Sequence, residues 1–213
     1  MGRNKLSKGK FNYINMDRRN RNYMYKNFYK SISHGTNFSG SNFNFASLRA
    51  AKFTVCSFYK ANFYWTEFIG TNIKRSNFES AYFENVTFNS VSFERVNFEN
   101  AIFKNVKFLN VGLKGVKNFR IEDHDITILN DMPNIVVNQT LNDLIDDLRK
   151  NDYIRRSKVL HLKKNRINTL NISILLEYFT DEELIIGLKL AGEKLNKNFS
   201  TVSYLIKFIQ KEI

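Results

Sequence analysis

The chain has 213 residues, 43% of them apolar and 15% aromatic, and its 33 basic against 20 acidic residues leave a net charge of +13. A lone cysteine, Cys56, excludes an internal disulfide framework, and no run reaches the length of about 20 apolar residues that a membrane span needs. The basic N-terminus lacks the apolar stretch of a secretory signal, so the composition predicts a cytoplasmic protein of one or two domains.

Charge divides the chain into three. Residues 1–35 carry nine bases against Asp17 alone, residues 36–115 nine bases against five acids, and residues 116–213 fifteen against fourteen. The first segment also holds a faint five-residue phase: Tyr13, Tyr23 and Phe28, each preceded by an asparagine. Arg21 and Lys26 fall in that phase on a position that should point inward, where an unpaired charge is costly. The expectation for 1–35 is a basic N-terminal segment whose ordered part is one degenerate or partly unwound capping coil, with the first ten residues mobile.

From Phe38 to Leu113 the phase becomes strict. Every fifth residue is large and apolar, sixteen in all and thirteen of them Phe. Two residues before each stands a small or β-branched residue, as in Ala61 before Phe63 and Val86 before Phe88. This period matches neither the helical 3.6 nor the strand 2.0. If five residues make one side of a square coil, four repeats bring residue i under residue i+20, about 4.8 Å away. The large and small residues of each repeat then both face the axis. The spacing predicts a right-handed quadrilateral parallel β-helix of four coils over residues 36–115, a quasi-one-dimensional solenoid.

Segments such as Ala61-Asn62-Phe63-Tyr64-Trp65 and Ser76-Asn77-Phe78-Glu79-Ser80 resemble the pentapeptide-repeat family. The resemblance implies this solenoid fold and much less about function; some members resemble scaffolds with no known ligand. Some members of that family are acidic look-alikes of duplex DNA that bind type II topoisomerases and dimerise through a C-terminal helical element. The repeat region here is net positive, opposite in sign to the phosphate-like field that such mimicry needs.

After Leu113 the pattern changes. Residues 116–137, with the strand-like run Ile126-Thr127-Ile128-Leu129 and the only proline, Pro133, read as an irregular connector and C-terminal cap. From Asn138 the periodicity becomes helical. Leu141, Leu144, Ile145 and Leu148 share one face; further helices are expected over about 153–164 and 170–179. Thr180 with Glu183 forms a capping-box signature before Leu184, and a last helix starts near Ser200. Residues 138–213 are therefore expected to make a small all-α domain following the mainly β solenoid.

Enzyme motifs are lacking. Gly187 and Gly192 sit in helical pattern, not in a phosphate loop, and no nucleophile stands beside a base. Glu122, His124 and Asp125 form the one tight polar cluster, but neighbours in sequence do not converge on one metal without a special loop. No catalytic, metal-binding or cofactor-binding residue is assigned. Cys56 occupies an inward small slot and reads as a packing residue.

Two outward faces stand out. One displays Lys52, Lys74, Arg75, Arg95 and Lys114 against Glu94 and is a candidate anion-binding face. The other displays Phe45, Tyr64, Trp65 and Tyr82, with Tyr59 at the adjoining corner, a candidate apolar docking patch. The leading expectation is a non-catalytic interaction or scaffold module that binds a partner protein or a second copy of itself and has no membrane partner. Nucleic-acid or polyanion binding through the basic segment and basic face is the alternative, and the family resemblance adds a topoisomerase-interacting resistance or immunity protein as a third.

Overall fold

A computed structural model describes residues 11–164 and 166–213. It divides between Asp131 and Met132 into two compact units. Among the described residues of the first unit are ten short strands: β1 (Tyr13–Ile14), β2 (Ile32–His34), β3 (Lys52–Thr54), β4 (Asn62–Tyr64), β5 (Glu67–Ile69), β6 (Tyr82–Glu84), β7 (Thr87–Asn89), β8 (Ile102–Lys104), β9 (Val106–Leu109) and β10 (Ile126–Leu129). They form three parallel sheets, ordered β1-β2-β3, β4-β6-β8 and β5-β7-β9-β10. Single bridges such as Asn37↔Ser57 and Asn77↔Asn97 continue the same pairing between them.

The register is twenty residues throughout, as in Phe63↔Phe83↔Phe103 and Phe68↔Phe88↔Phe108. Four five-residue sides thus close one turn, and each side stacks on its counterpart in the next. The inward phenylalanines are almost completely buried and build ring columns along the axis. Phe63 and Phe83 stack with centroids 5.0 Å apart, Phe83 and Phe103 at 4.8 Å. Hydroxyls in the inward small slots are satisfied by the preceding turn. Thr66 Oγ1 donates to the Phe43 carbonyl at 2.8 Å, Thr71 to Leu48 at 2.8 Å and Ser76 to Phe53 at 2.8 Å. Cys56 packs in one of these slots, and burial pushes its thiol up to about 11.

Each side ends at a residue with φ near +55°, the left-handed region, which turns the chain through the corner. Glycine and asparagine suit that position and recur there, at Gly40, Gly70, Asn85, Asn105 and Asn110. At Gly40 space adds a second constraint, since a Cβ would meet Asn20 Oδ1 at 2.2 Å.

The solenoid runs from β1 to β10, about six turns rather than four. The expected degenerate coil before Gly35 is a regular one. Tyr23 and Phe28 are buried, Asn22 bridges Asn42 and Asn27 bridges Ser47. Arg21 and Lys26 do occupy the small slot, yet both are exposed, so their charges keep water and no desolvation cost arises. The expected mobility of the first ten residues lies outside the described residues. At the other end the expected irregular connector largely continues the solenoid. Lys117 bridges Asn97, and β10 pairs with β9 from Ile126↔Val106 to Leu129↔Leu109. The phase slips once: Asn118 takes a left-handed corner (φ 51°), and Phe119 enters the core one residue late, 5.5 Å from Phe98.

The second unit holds five α-helices among its described residues: α1 (Gln139–Asp147), α2 (Asp152–Ser157), α3 (Thr169–Leu176), α4 (Asp181–Lys194) and α5 (Val202–Glu212), with a 3-10 turn at Leu148–Lys150. Asn138 and Asn151 accept from backbone amides to cap α1 and α2. The box before α4 closes in both directions: Glu183 N donates to Thr180 Oγ1 at 3.2 Å, and Thr180 N to Glu183 Oε2 at 2.9 Å. Gly187 lets α5 approach α4, for a Cβ there would stand 2.4 Å from Ile209 Cγ2.

The helix expected over 153–164 ends at Ser157. Lys158 turns left-handed (φ 62°) and sends Val159 and Leu160 into the core. The chain then forms a narrow hairpin, with His161 bridged antiparallel to Ile167.

Candidate interaction surface

The five-residue repeat projects side chains at fixed heights on each face, so an outward column is read by stepping twenty residues. On the face of Phe43, Phe63 and Phe83, the corner column runs Tyr25, Phe45, Trp65, Asn85, Asn105. Tyr25 and Phe45 stack with centroids 4.9 Å apart and planes 10° apart. Tyr64 meets Phe45 edge-on at 5.2 Å and Trp65 edge-on at 6.5 Å. Four aromatic rings thus make one continuous apolar strip across three turns. Phe45, Tyr64 and Trp65 are half-buried, and Tyr25 is 59% exposed. Only the Tyr25–Phe45 pair is face to face; the other two contacts are edge-on.

Above Trp65 the column changes chemistry. Asn105 Nδ2 donates to Asn85 Oδ1 at 2.7 Å, a polar rung that ends the apolar strip.

Of the five residues predicted for this patch, Phe45, Tyr64 and Trp65 come together. Tyr82 shares the face but is engaged otherwise: its hydroxyl donates to Glu84 Oε2 at 2.5 Å, and Lys104 Nζ lies 5.5 Å from its ring centre. The carboxylate beside it raises the Tyr82 phenol above its usual range. Tyr59 stands in a different column, with Lys60 Nζ 5.1 Å from its ring centre, and joins no ring of the strip among the described residues. Tyr25 is absent from the predicted patch because the sequence assigns it to a degenerate capping coil; its position twenty residues before Phe45 is the signal that places it on the strip.

The basic face is less uniform than its composition suggests. Lys74 Nζ reaches Glu94 Oε2 on the next turn at 2.6 Å, and this partner, with Arg75 and Arg95 nearby, holds the Glu94 carboxyl below its usual value. Lys52, Arg75, Arg95 and Lys114 are exposed. Arg75 and Arg95 occupy the same corner column one turn apart.

Glu122, His124 and Asp125 do not converge on a common centre, and no group able to hold a metal occurs among the described residues. His124 lies over the end of the aromatic core, 5.3 Å from Phe119 in a stacked arrangement and 4.9 Å from Phe103. Asp125 Oδ2 accepts from Asn105 N at 2.7 Å, and Glu122 is exposed. The described cluster closes the last turn of the solenoid.

Residues 51–118 match the family model described as pentapeptide repeat region; the helical part lies outside the match. Among solved structures, the chain is similar to a pentapeptide repeat protein, Rfr23, from the cyanobacterium Cyanothece 51142, at 12% identity over 56% of this chain and 91% of that one, with a TM-score of 0.37. QnrB1, a plasmid-mediated fluoroquinolone resistance protein, is 15% identical over 61% of this chain and 87% of its own, with a TM-score of 0.29. HetL of Nostoc sp. strain PCC 7120, a pentapeptide repeat protein involved in heterocyst differentiation regulation, is 13% identical over 53% and 64%, with a TM-score of 0.21. No curated protein matches the sequence.

Proposed function

We propose that this chain, whose residues 51–118 are a pentapeptide-repeat region, is a non-catalytic protein-interaction module that docks a protein surface on the Tyr25–Phe45–Tyr64–Trp65 strip. The observation that carries this reading is the strip itself. Four aromatic side chains on the outside of a rigid solenoid form one apolar surface held by ring contacts on every step. Aromatic side chains dominate the energetics of protein interfaces, and little side-chain entropy is lost when they are already packed. None of the four side chains is basic, so the strip suits an apolar protein surface better than a phosphate backbone.

The corner positions allow a clean test. Phe45→Asn combined with Trp65→Asn places at two corners the residue that other corners already carry, so the backbone tolerates it. Self-association is followed by light scattering and partner retention on the immobilised chain by mass spectrometry. The double variant is expected to lose the interaction while keeping its melting temperature within a few degrees. Retained interaction with an unchanged fold would refute the strip as the docking surface.

A further inference from the structure

The helical unit carries its own concentration of positive charge. Residues 152–166 hold six bases, Arg155, Arg156, Lys158, Lys163, Lys164 and Arg166, against Asp152 alone. The rest of the unit from Met132 onward has seven bases and nine acids, so the excess is gathered into this one stretch. Asp152 is shared by Arg155 and by Arg156, the latter at 2.7 Å. The other four bases have no carboxylate within ion-pair distance among the described residues.

These four charges sit on and beside the hairpin that follows α2. Leu162 N donates to the Arg166 carbonyl at 2.7 Å and Asn168 N to the Leu160 carbonyl at 2.8 Å, so the two arms are hydrogen-bonded to each other. Lys164 is left-handed (φ 57°) at the turn. Lys163, Lys164 and Arg166 are exposed, whereas the base of the hairpin is buried. Leu160 is inaccessible, and a nitrogen of the buried His161 lies 2.7 Å from the Ile145 carbonyl. Asn171 Nδ2 donates to the Val159 carbonyl at 2.9 Å. Three exposed bases are therefore carried on hydrogen-bonded arms whose base is buried.

We infer that this hairpin is a nucleic-acid contact that binds the phosphate backbone through Lys163, Lys164 and Arg166, with Lys158 beside its base. The reasons are those of charge and shape. Several bases unpaired among the described residues and gathered in one short stretch, three of them exposed, suit a polymer that presents one phosphate after another. The tip also lacks an exposed large apolar side chain: Leu162 and Ile167 are half-buried, so there is no wedge to enter a lipid surface. Contacts of this kind confer affinity without sequence preference and weaken steeply with salt. The surface is separate in sequence from the aromatic strip and from the basic solenoid face, and the inference stands independently of either.

The test is fluorescence anisotropy of the full chain with a labelled 20-base-pair duplex at 50 mM and 200 mM salt. The charge-removing variant K163Q/K164Q/R166Q is expected to bind about tenfold or more weakly at low salt, and to reduce the slope of log K against log salt by up to about 2.7, three phosphates at ~0.9 each. K189Q/K211Q, on α4 and α5 and away from the hairpin in sequence, should bind as the parent does. Circular dichroism melts confirm that both variants fold; should the triple variant melt early, K163Q/K164Q is measured in its place. No duplex binding at 50 mM salt, or full affinity in the hairpin variant, would overturn the inference. So would binding to phosphatidylserine vesicles or polyglutamate that exceeds binding to the duplex.

Discussion

Phe58 and Phe78, twenty residues apart in sequence, stack with centroids 4.6 Å apart and planes 10° apart at the centre of the solenoid. That contact sets the scale for the whole rod, because each ring is held by the ones above and below it. Phe78→Ala removes a fully buried ring that also touches Phe63, Phe83 and Phe98. The expected loss is about 3–5 kcal/mol. Ala81→Arg, at an inaccessible slot, should cost more, since a guanidinium cannot be hydrated there. Chemical denaturation of the two variants checks both; an unchanged midpoint for Ala81→Arg would contradict the register.

Val55 stands at a left-handed corner with φ 58° and is 47% exposed. A β-branched residue is strained in this region, whereas asparagine is at ease there and fills many of the other corners. Val55→Asn should therefore stabilise the chain by about 1 kcal/mol, seen as a raised melting temperature.

Gly187 is a packing glycine on α4. Adding one methyl at Gly187→Ala drives a Cβ into Ile209 and should cost about 1–3 kcal/mol despite the better helix propensity of alanine. Ile209→Ala removes both γ carbons that the new methyl meets, so its loss and that of Gly187→Ala should be less than additive.

His161 makes the helical unit sensitive to acid. Burial is the largest influence on its imidazole and lowers its pKa from 6.5; the Ile145 carbonyl opposes the shift, as does Asp146, while Arg149 and Lys158 add to it. The unfolded chain thus takes up a proton more readily than the folded one. Above pH 6.5 His161 is neutral in both states and costs nothing; as pH falls below 6.5, the unfolded state is favoured increasingly until the folded imidazole is protonated too. Melting temperature should drop between pH 7 and pH 5, and the drop should be smaller in His161→Gln. An equal drop in the two proteins would rule out His161 as its source.

The solenoid was legible because its period is dictated by geometry alone. Phe38 to Leu113 repeat without a gap, and the inward slots hold only what fits beside a ring. Its ends were harder to read. At Arg21 and Lys26 the pattern looked broken, since a terminal coil can expose slots that an inner coil must bury. At Phe119 one slipped residue hid a turn that resumes with β10. The candidate surface was legible in part. Phe45, Tyr64 and Trp65 follow from stepping along the columns, whereas Tyr82 and Tyr59 are diverted by Glu84, Lys104 and Lys60, which side-chain geometry alone reveals. The helical hairpin was hidden because Val159, Leu160 and Leu162 keep an apolar pattern across the point where Lys158 turns left-handed.

The docking claim is tested most directly by placing a photo-crosslinking phenylalanine analogue in place of Phe45 and, separately, in place of Val55, two corners on different faces. Both chains are irradiated in the native host. A discrete crosslinked protein, either a second copy or another chain, is predicted from position 45 and none from position 55. Equal crosslinking at the two corners, or none at position 45, would contradict the account.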